Sequence, residues 1–313
     1  MRSPLLISTE SYEPFAQLIA DELRARYQLE LELGQVERKL FPDGERYQRV
    51  LSPVHERSVI IVGGTISDSD TLSLYDLACA CVKYGARRLE LCVPYFGYST
   101  MERAVRPGEV VTAKTRARLL SAIPRADRGN HFYLLDLHSE GIPHYFEGDV
   151  SAQQLSARGP LLKRLAEING GDFVLASADS GRAKWVEAFA QELKVDAALL
   201  LKRRLSDRQT EVSAMNAHVE GRVVVLYDDM IRTGSSLLQA ARAYLDAGAS
   251  ELWAACSHGV LPQDAWERLS GSGLLKAVLS TNSHPRAQAL QAQGLELINV
   301  APVFAEALAQ RSI

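Results

Sequence analysis

Short apolar runs recur along the chain, and helix-compatible stretches separate many of them. The runs at 5–8, 58–62, 89–93, 132–136, 173–177, 198–202, 223–227, 252–256 and 277–280 are each four or five residues long, the length of a buried strand. Between them, apolar residues return at spacings of three and four. Val186, Phe189, Ala190 and Leu193 share one helical face. Leu237, Leu238, Ala241, Tyr244 and Leu245 share another, and Gly248 follows as a C-terminal stop. Buried strands alternating with amphipathic helices predict an α/β fold of mostly parallel sheets, covered by helices on both faces. This many strands exceed one ordinary sheet, so two domains are expected. The Gly- and Pro-containing stretch 141–148 precedes the expected crossing, at 147–151. No low-complexity linker marks it, and no sequence repeat is visible.

The clearest candidate chemistry follows the run VVVLY. Asp228 and Asp229 stand at its carboxyl end, then comes the loop MIRTGSS, then a helix starting near Ser235. Open α/β sheets bind ligands beyond the carboxyl ends of their strands. Adjacent carboxylates there are electrostatically costly unless a cation or hydroxyls engage them. The N–H groups and dipole of a helix N-terminus make an anion site. Thr233, Ser235 and Ser236 add hydroxyls, and Gly234 lets the backbone approach a ligand closely. The pattern predicts a phosphate held beside a polyol or a metal. The plainer alternative is an ordinary strand–helix turn with a capping residue and one solvated aspartate.

Composition narrows the class. With 35 Lys and Arg against 38 Asp and Glu, the net charge of the 313 residues is −3. That lacks the basic footprint of a protein that binds nucleic acid polymer. A hydrophobic share of 47% argues against disorder. The four cysteines (79, 81, 92 and 256) form no C-x-x-C and no zinc spacing with histidines, and read as small buried residues in a reducing compartment. No run approaches the roughly 20 apolar residues of a membrane span, and the first ten residues lack the apolar core of a signal peptide. A cytoplasmic protein with no membrane contact is expected.

DDMIRTGSS resembles the ribose 5-phosphate loop of phosphoribosyltransferases and of ribose-phosphate diphosphokinases (phosphoribosyl pyrophosphate synthetases). Further segments favour the second group: FPDGE at 41–45, PYFGY at 94–98 with PGEVVTAK at 107–114, DLH at 136–138, KRR at 202–204, SHGVL at 257–261 and TNSHP at 281–285. They run in the family order over essentially the whole chain. The resemblance implies transfer of the β,γ-pyrophosphoryl group of ATP to the 1-hydroxyl of ribose 5-phosphate, with Mg2+ as cofactor. It implies two similar phosphoribosyltransferase-like domains, each a mostly parallel sheet flanked by helices. Residues 1–148 with 295–313 are expected to carry the nucleotide loop and oligomer contacts, and residues 149–294 the ribose 5-phosphate site.

Site roles carry over by the same resemblance. Asp228, Asp229, Arg232, Thr233, Gly234, Ser235 and Ser236 are expected to bind ribose 5-phosphate. Phe41, Asp43, Glu45, Glu102, Arg103 and His138 are expected to bind ATP, and His138 and Asp179 to place the metal. Lys202 and Arg204 are expected to be catalytic, on a mobile flap whose cations stabilise the transferring phosphates. Dimers that assemble further, as hexamers, are implied too.

The chain departs from the family pattern near the substrates. After PYFGY the usual Arg-Gln-Asp is Thr100, Met101 and Glu102, with Arg103 kept. The usual Pro-Asp-x-Gly-Gly is Ala178, Asp179, Ser180, Gly181 and Arg182, and a frequent Asp of the phosphate loop is Arg232. Three alternatives stay open: a non-catalytic or regulatory synthetase-like subunit, a related enzyme with a shifted nucleotide donor or sugar-phosphate acceptor, and a phosphoribosyltransferase.

Overall fold

The computed structural model describes residues 2–178, 180–204, 210–215 and 218–312; the side chains of residues 180, 201–204, 210–215 and 312 lie outside that description. The chain divides into two compact units, Met1–Ser156 with Ala301–Ile313, and Ala157–Val300.

The first unit runs β1 (Leu5–Ser8), α1 (Glu13–Tyr27), β2 (Glu32–Leu33), β3 (Val36–Leu40), β4 (Arg46–Val50), β5 (Ser58–Val62), α2 (Asp68–Lys83), β6 (Arg88–Val93), α3 (Thr112–Ser121), β7 (Asn130–Leu135) and β8 (Val150–Leu155). Its parallel sheet has the order β2-β1-β5-β6-β7-β8, and β3 and β4 form a separate antiparallel hairpin. Alternate residues of each strand face opposite ways. Leu5, Ile7, Val59, Ile61, Leu89, Leu91 and Phe132 pack with Leu74, Leu77 and Cys81 of α2 and Leu120 of α3. Ser67 caps α2 by accepting the Asp70 N–H at 3.0 Å.

The second unit runs α4 (Arg158–Leu165), β9 (Val174–Ser177), α5 (Ala183–Leu193), β10 (Asp196–Arg204), β11 (Thr210–Met215), β12 (Val223–Ile231), α6 (Ser235–Asp246), β13 (Glu251–Gly259), α7 (Ala265–Ser270), β14 (Ala277–Thr281), α8 (Pro285–Leu290) and β15 (Glu296–Ile298). The sheet order is β11-β10-β9-β12-β13-β14-β15, parallel except for the β10–β11 pair. Then α9 (Ala301–Ser312) returns to the first unit, where Phe304 meets Phe15 of α1 edge-on at 5.7 Å. The two predicted helical faces are buried through Val186, Phe189 and Ala190 in α5 and Leu237, Ala241 and Tyr244 in α6. Gly248 follows α6 with φ +91°, the left-handed stop expected of it.

The units meet the chain at places other than the expected 148/149 and 294/295. The strand VSAQQL (β8) pairs with β7 inside the first unit, and β15 pairs with β14 inside the second. The divisions therefore fall after residues 156 and 300. Cysteine chemistry is muted: all four are free, and burial pushes the Cys81 and Cys256 thiols up to about 12. No helix among the described residues is long and apolar enough to cross a membrane.

One buried carboxylate is poorly served. Glu90, 3% exposed on β6, has no hydrogen-bond partner for Oε1 among the described residues, and Arg88 Nη1 lies 3.8 Å from that atom. Burial raises its pKa above the usual 4.5, against the opposing pull of Arg88 and Arg311. A raised folded-state pKa gives stability that is full below 4.5 and is lost as pH rises through the folded value. Glu90→Gln is therefore expected to raise Tm at pH 8, by about 2–4 °C per kcal/mol gained, and to gain nothing at pH 4. Thermal melts at the two pH values check this; equal shifts at both would contradict it.

Candidate functional site

The second unit assembles its site at the end of β12. This strand is buried between β9 and β13 and pairs with β13 as far as Ile231 opposite Gly259, so it runs beyond the predicted 227. Asp228 and Asp229 consequently sit in its last turn of pairing rather than past it. Asp228 is half-buried, and Asp229 is 8% exposed. The Asp229 N–H donates to Asp228 Oδ1 at 2.9 Å, which orients the first carboxylate.

The loop then turns into α6. Gly234 is the N-cap residue, with φ +73° and no side chain of its own to cap the helix; Thr233 Oγ1 accepts the Ser235 N–H at 3.5 Å. A Cβ on Gly234 would lie 2.7 Å from Leu269 Cδ2, so both backbone angle and space select glycine. Arg232, Thr233, Ser235 and Ser236 are exposed. Thr233 Oγ1 donates to Ser235 Oγ at 3.3 Å, and Arg268 of α7 donates to the Thr233 carbonyl at 3.3 Å. The first-turn N–H groups of α6 thus face a hydroxyl-rich, exposed loop, the arrangement that receives a phosphate.

Arg182 lies within the same site. Its Nη2 is 2.6 Å from Asp229 Oδ2, and its Nε donates to Asp229 Oδ1 at 3.1 Å. The Nε is also 3.8 Å from Asp228 Oδ1. Arg182, which stands where the family pattern has a glycine, grips a carboxylate with its guanidinium fork. Residue spacing carries no signal for this, because 46 residues separate the partners and only sheet packing unites them.

Other expected residues are placed unevenly. Lys202 and Arg204 lie on β10, and their side chains fall outside the described set; Asp179 falls outside it entirely. The described part of the expected flap is an antiparallel ladder, with Lys202 opposite Val212 and Arg204 opposite Thr210. Among the described residues, no three His, Cys, Asp or Glu side chains gather as metal ligands.

The first unit holds the remaining candidates. Phe41, Asp43 and Glu45 are exposed on the β3–β4 turn, which Phe41 N–H closes onto the Glu45 carbonyl at 2.9 Å. Gly44 takes φ +92° there. Tyr47 meets the Phe41 ring edge-on at 6.4 Å, and Lys39 Nζ lies 5.5 Å from the Tyr47 ring centre. The hairpin thus presents an aromatic pair with a cation beside it. His138 is half-buried just after β7, and Asp136 before it is buried with φ +37°. A non-glycine residue in that region costs about 1–3 kcal/mol and is held there by its surroundings.

The loop after PYFGY is anchored on both sides. Gly97 packs so closely on Thr65 that a Cβ would lie 2.1 Å from its carbonyl oxygen. Tyr98 Oη donates to Asp68 at 2.9 Å and Arg116 donates to the same oxygen at 2.6 Å, together holding the Asp68 carboxyl below its usual range. Farther on, Tyr145 Oη donates to the Glu102 carbonyl at 2.6 Å, tying the Glu102–Arg103 loop to the segment that follows His138. Arg103 is exposed, with its Nε 3.5 Å from Glu102 Oε1.

Comparison with known proteins agrees with this architecture. By fold the chain is a parallel α/β protein of two units. Residues 5–123 match the N-terminal domain of ribose phosphate pyrophosphokinase, and residues 177–312 match a phosphoribosyl synthetase-associated domain. A ribose-phosphate pyrophosphokinase from Methanopyrus kandleri is 36% identical over 97% of this chain and 98% of its own. One from Gloeobacter violaceus is 34% identical over 97% of this chain and 88% of its own. The crystal structure of phosphoribosylpyrophosphate synthetase from Mycobacterium smegmatis shares the fold, with a TM-score of 0.83 and 24% identity over 99% of both chains. The chain belongs to the ribose-phosphate pyrophosphokinase family.

Proposed function

We propose that the chain is a ribose-phosphate diphosphokinase that transfers the β,γ-pyrophosphoryl group of ATP to the 1-hydroxyl of ribose 5-phosphate. The observation that carries this reading is the end of β12, where a carboxylate pair stands beside a hydroxyl-rich helix N-terminus. Ribose O1 attacks the β-phosphorus and loses its proton to solvent. The bond between that phosphorus and the oxygen of the α-phosphate breaks, and AMP leaves with the electron pair.

Arg232, Thr233, Gly234, Ser235 and Ser236 hold the 5-phosphate through backbone N–H groups, hydroxyls and one cation. Asp228 and Asp229 accept hydrogen bonds from the ribose hydroxyls. Lys202 and Arg204 offset the charge that develops on the transferring phosphates. Phe41, Asp43 and Glu45 receive the nucleotide at the hairpin, with Glu102, Arg103 and His138. The half-exposed Asp228 carboxylate suits Mg2+, which is commonly held by one or two carboxylates with water and substrate phosphates. Asp179 would help to place the ion in the second unit, and His138 of the first would act, through water, on the nucleotide's own metal; a bound ion would supply positive charge to the phosphate oxygens. The enzyme works as dimers building to hexamers in the cytoplasm, where its free cysteines stay reduced.

Thr100 and Met101, in place of an Arg and a Gln, make the nucleotide donor the property most open to change. The test is ³¹P NMR of the purified protein with Mg2+, ribose 5-phosphate and a panel of nucleoside triphosphates. A sugar 1-diphosphate with AMP is expected from ATP. A different productive donor would keep the reaction and correct the specificity. Well-folded protein that yields no monophosphate from any donor would instead support a regulatory subunit and sink the proposal.

A further inference from the structure

We infer that Arg182 is a built-in counter-ion for the Asp228–Asp229 pair, occupying at Asp229 the place that a divalent cation would otherwise take. Both carboxylate oxygens of Asp229 are engaged by the Arg182 fork, at 2.6 and 3.1 Å. The two side chains are each 11% exposed, so the pair is held away from bulk water, where charge-assisted bidentate contacts are strong. Arg182 Nε also lies 3.8 Å from Asp228 Oδ1, so one guanidinium serves both carboxylates. Two carboxylates and one guanidinium leave a single net negative charge. A divalent ion bridging both aspartates would have to displace the arginine.

The position of Arg182 is set by rigid elements. It is the N-cap residue of α5, with φ −109°. Phe189 of that helix packs on Tyr227, the residue before Asp228, with ring centres 5.0 Å apart. Helix and strand are therefore locked next to the ion pair, and the fork meets Asp229 without a long search of side-chain conformations. With Asp229 fixed, Asp228 is the more exposed carboxylate of the pair, at 27% of its side chain against 11%. Arg182 is thus a positioning residue: it orients the Asp229 carboxylate, while the Asp229 backbone N–H, fixed in β12, orients Asp228 Oδ1. For the sugar, this rests on the ribose 5-phosphate reading above. In that setting the hydroxyls meet a pair that is already part-neutralised, and sugar binding needs no metal bridge between the two aspartates.

The test uses neither sugar nor nucleotide, so its failure is separate from failure of the reaction proposal. Mn2+ binding to the full-length protein is measured by EPR and calorimetry for the wild type, Arg182→Gln, Arg182→Lys and the double variant Arg182→Gln with Asp229→Asn. Arg182→Gln is expected to bind Mn2+ at least tenfold more tightly than the wild type. Arg182→Lys keeps the charge and should stay within about threefold of the wild type. The double variant should lose the gain. If Arg182→Gln is unstable alone, Mn2+ should restore its folding and raise its Tm, with no matching rise in the wild type. Equal Mn2+ affinity in wild type and Arg182→Gln, or a gain that survives removal of the Asp229 charge, would overturn the inference, as would an unstable Arg182→Gln that Mn2+ leaves unfolded.

Discussion

Lys202→Ala is expected to lower kcat by about a hundred- to a thousandfold, the range that follows loss of one donor aimed at developing charge. Pyrophosphoryl transfer asks little covalent chemistry of the protein and much positioning and charge neutralisation. The fold explains why stability should be spared. β10 pairs with β9 only as far as Leu199 opposite Ser177. From Leu200 onward its one strand partner among the described residues is β11, so Lys202 lies on a two-stranded ribbon past the pairing with β9. Its removal should leave Tm within about 1 °C of the wild type, since substitutions away from packed features cost within about 0.5 kcal/mol. Steady-state kinetics beside a thermal melt decide the matter. A kcat drop below tenfold, or one matched by unfolding, would remove Lys202 from the catalytic set.

Gly234→Val should damage folding and sugar-phosphate binding together. An L-residue at φ +73° pays about 1–2 kcal/mol for its Cβ, and β-branching adds to that. The new Cβ would also meet Leu269 Cδ2 at 2.7 Å and Cγ at 2.8 Å. Relief requires the start of α6 to move, and with it the N–H groups proposed to hold the 5-phosphate. The expected result is a loss of about 2 kcal/mol or more in stability and at least a tenfold rise in KM for ribose 5-phosphate. Adding Leu269→Ala should recover the part due to the clash but not the part due to backbone angle. An unchanged KM in the single variant would place the phosphate elsewhere.

Much of the framework was legible in the amino-acid pattern because parallel strands are buried on both faces. The runs at 5–8 and 58–62 became β1 and β5 without a change of boundary. What stayed hidden lies at edges and in polar pairings. β8 reads VSAQQL and has one sheet neighbour, so apolar content does not mark it, and the crossing was expected too early. β3 and β4, VERKL and RYQRV, show no fully buried position and read only as flanks of the turn at FPDGE. β12 outran its apolar run because Met230 and Ile231 keep their pairing with β13, which draws Asp228 and Asp229 into the strand. The loop proposed to hold the 5-phosphate announced itself through local chemistry: a glycine, small hydroxyl residues and a helix start. The grip of Arg182 on Asp229 and the support of Thr233 by Arg268 join elements distant in sequence, and no local signal encodes them.

In the proposed reaction two phosphoryl groups move together from nucleotide to sugar. This is tested most directly by supplying ribose 5-phosphate and Mg2+ with ATP labelled at both the β- and γ-phosphorus. Both labels are expected together on one acid-labile sugar product, with an equal amount of unlabelled AMP. Labelled ADP, or AMP accompanied by free pyrophosphate and no labelled sugar, would contradict it.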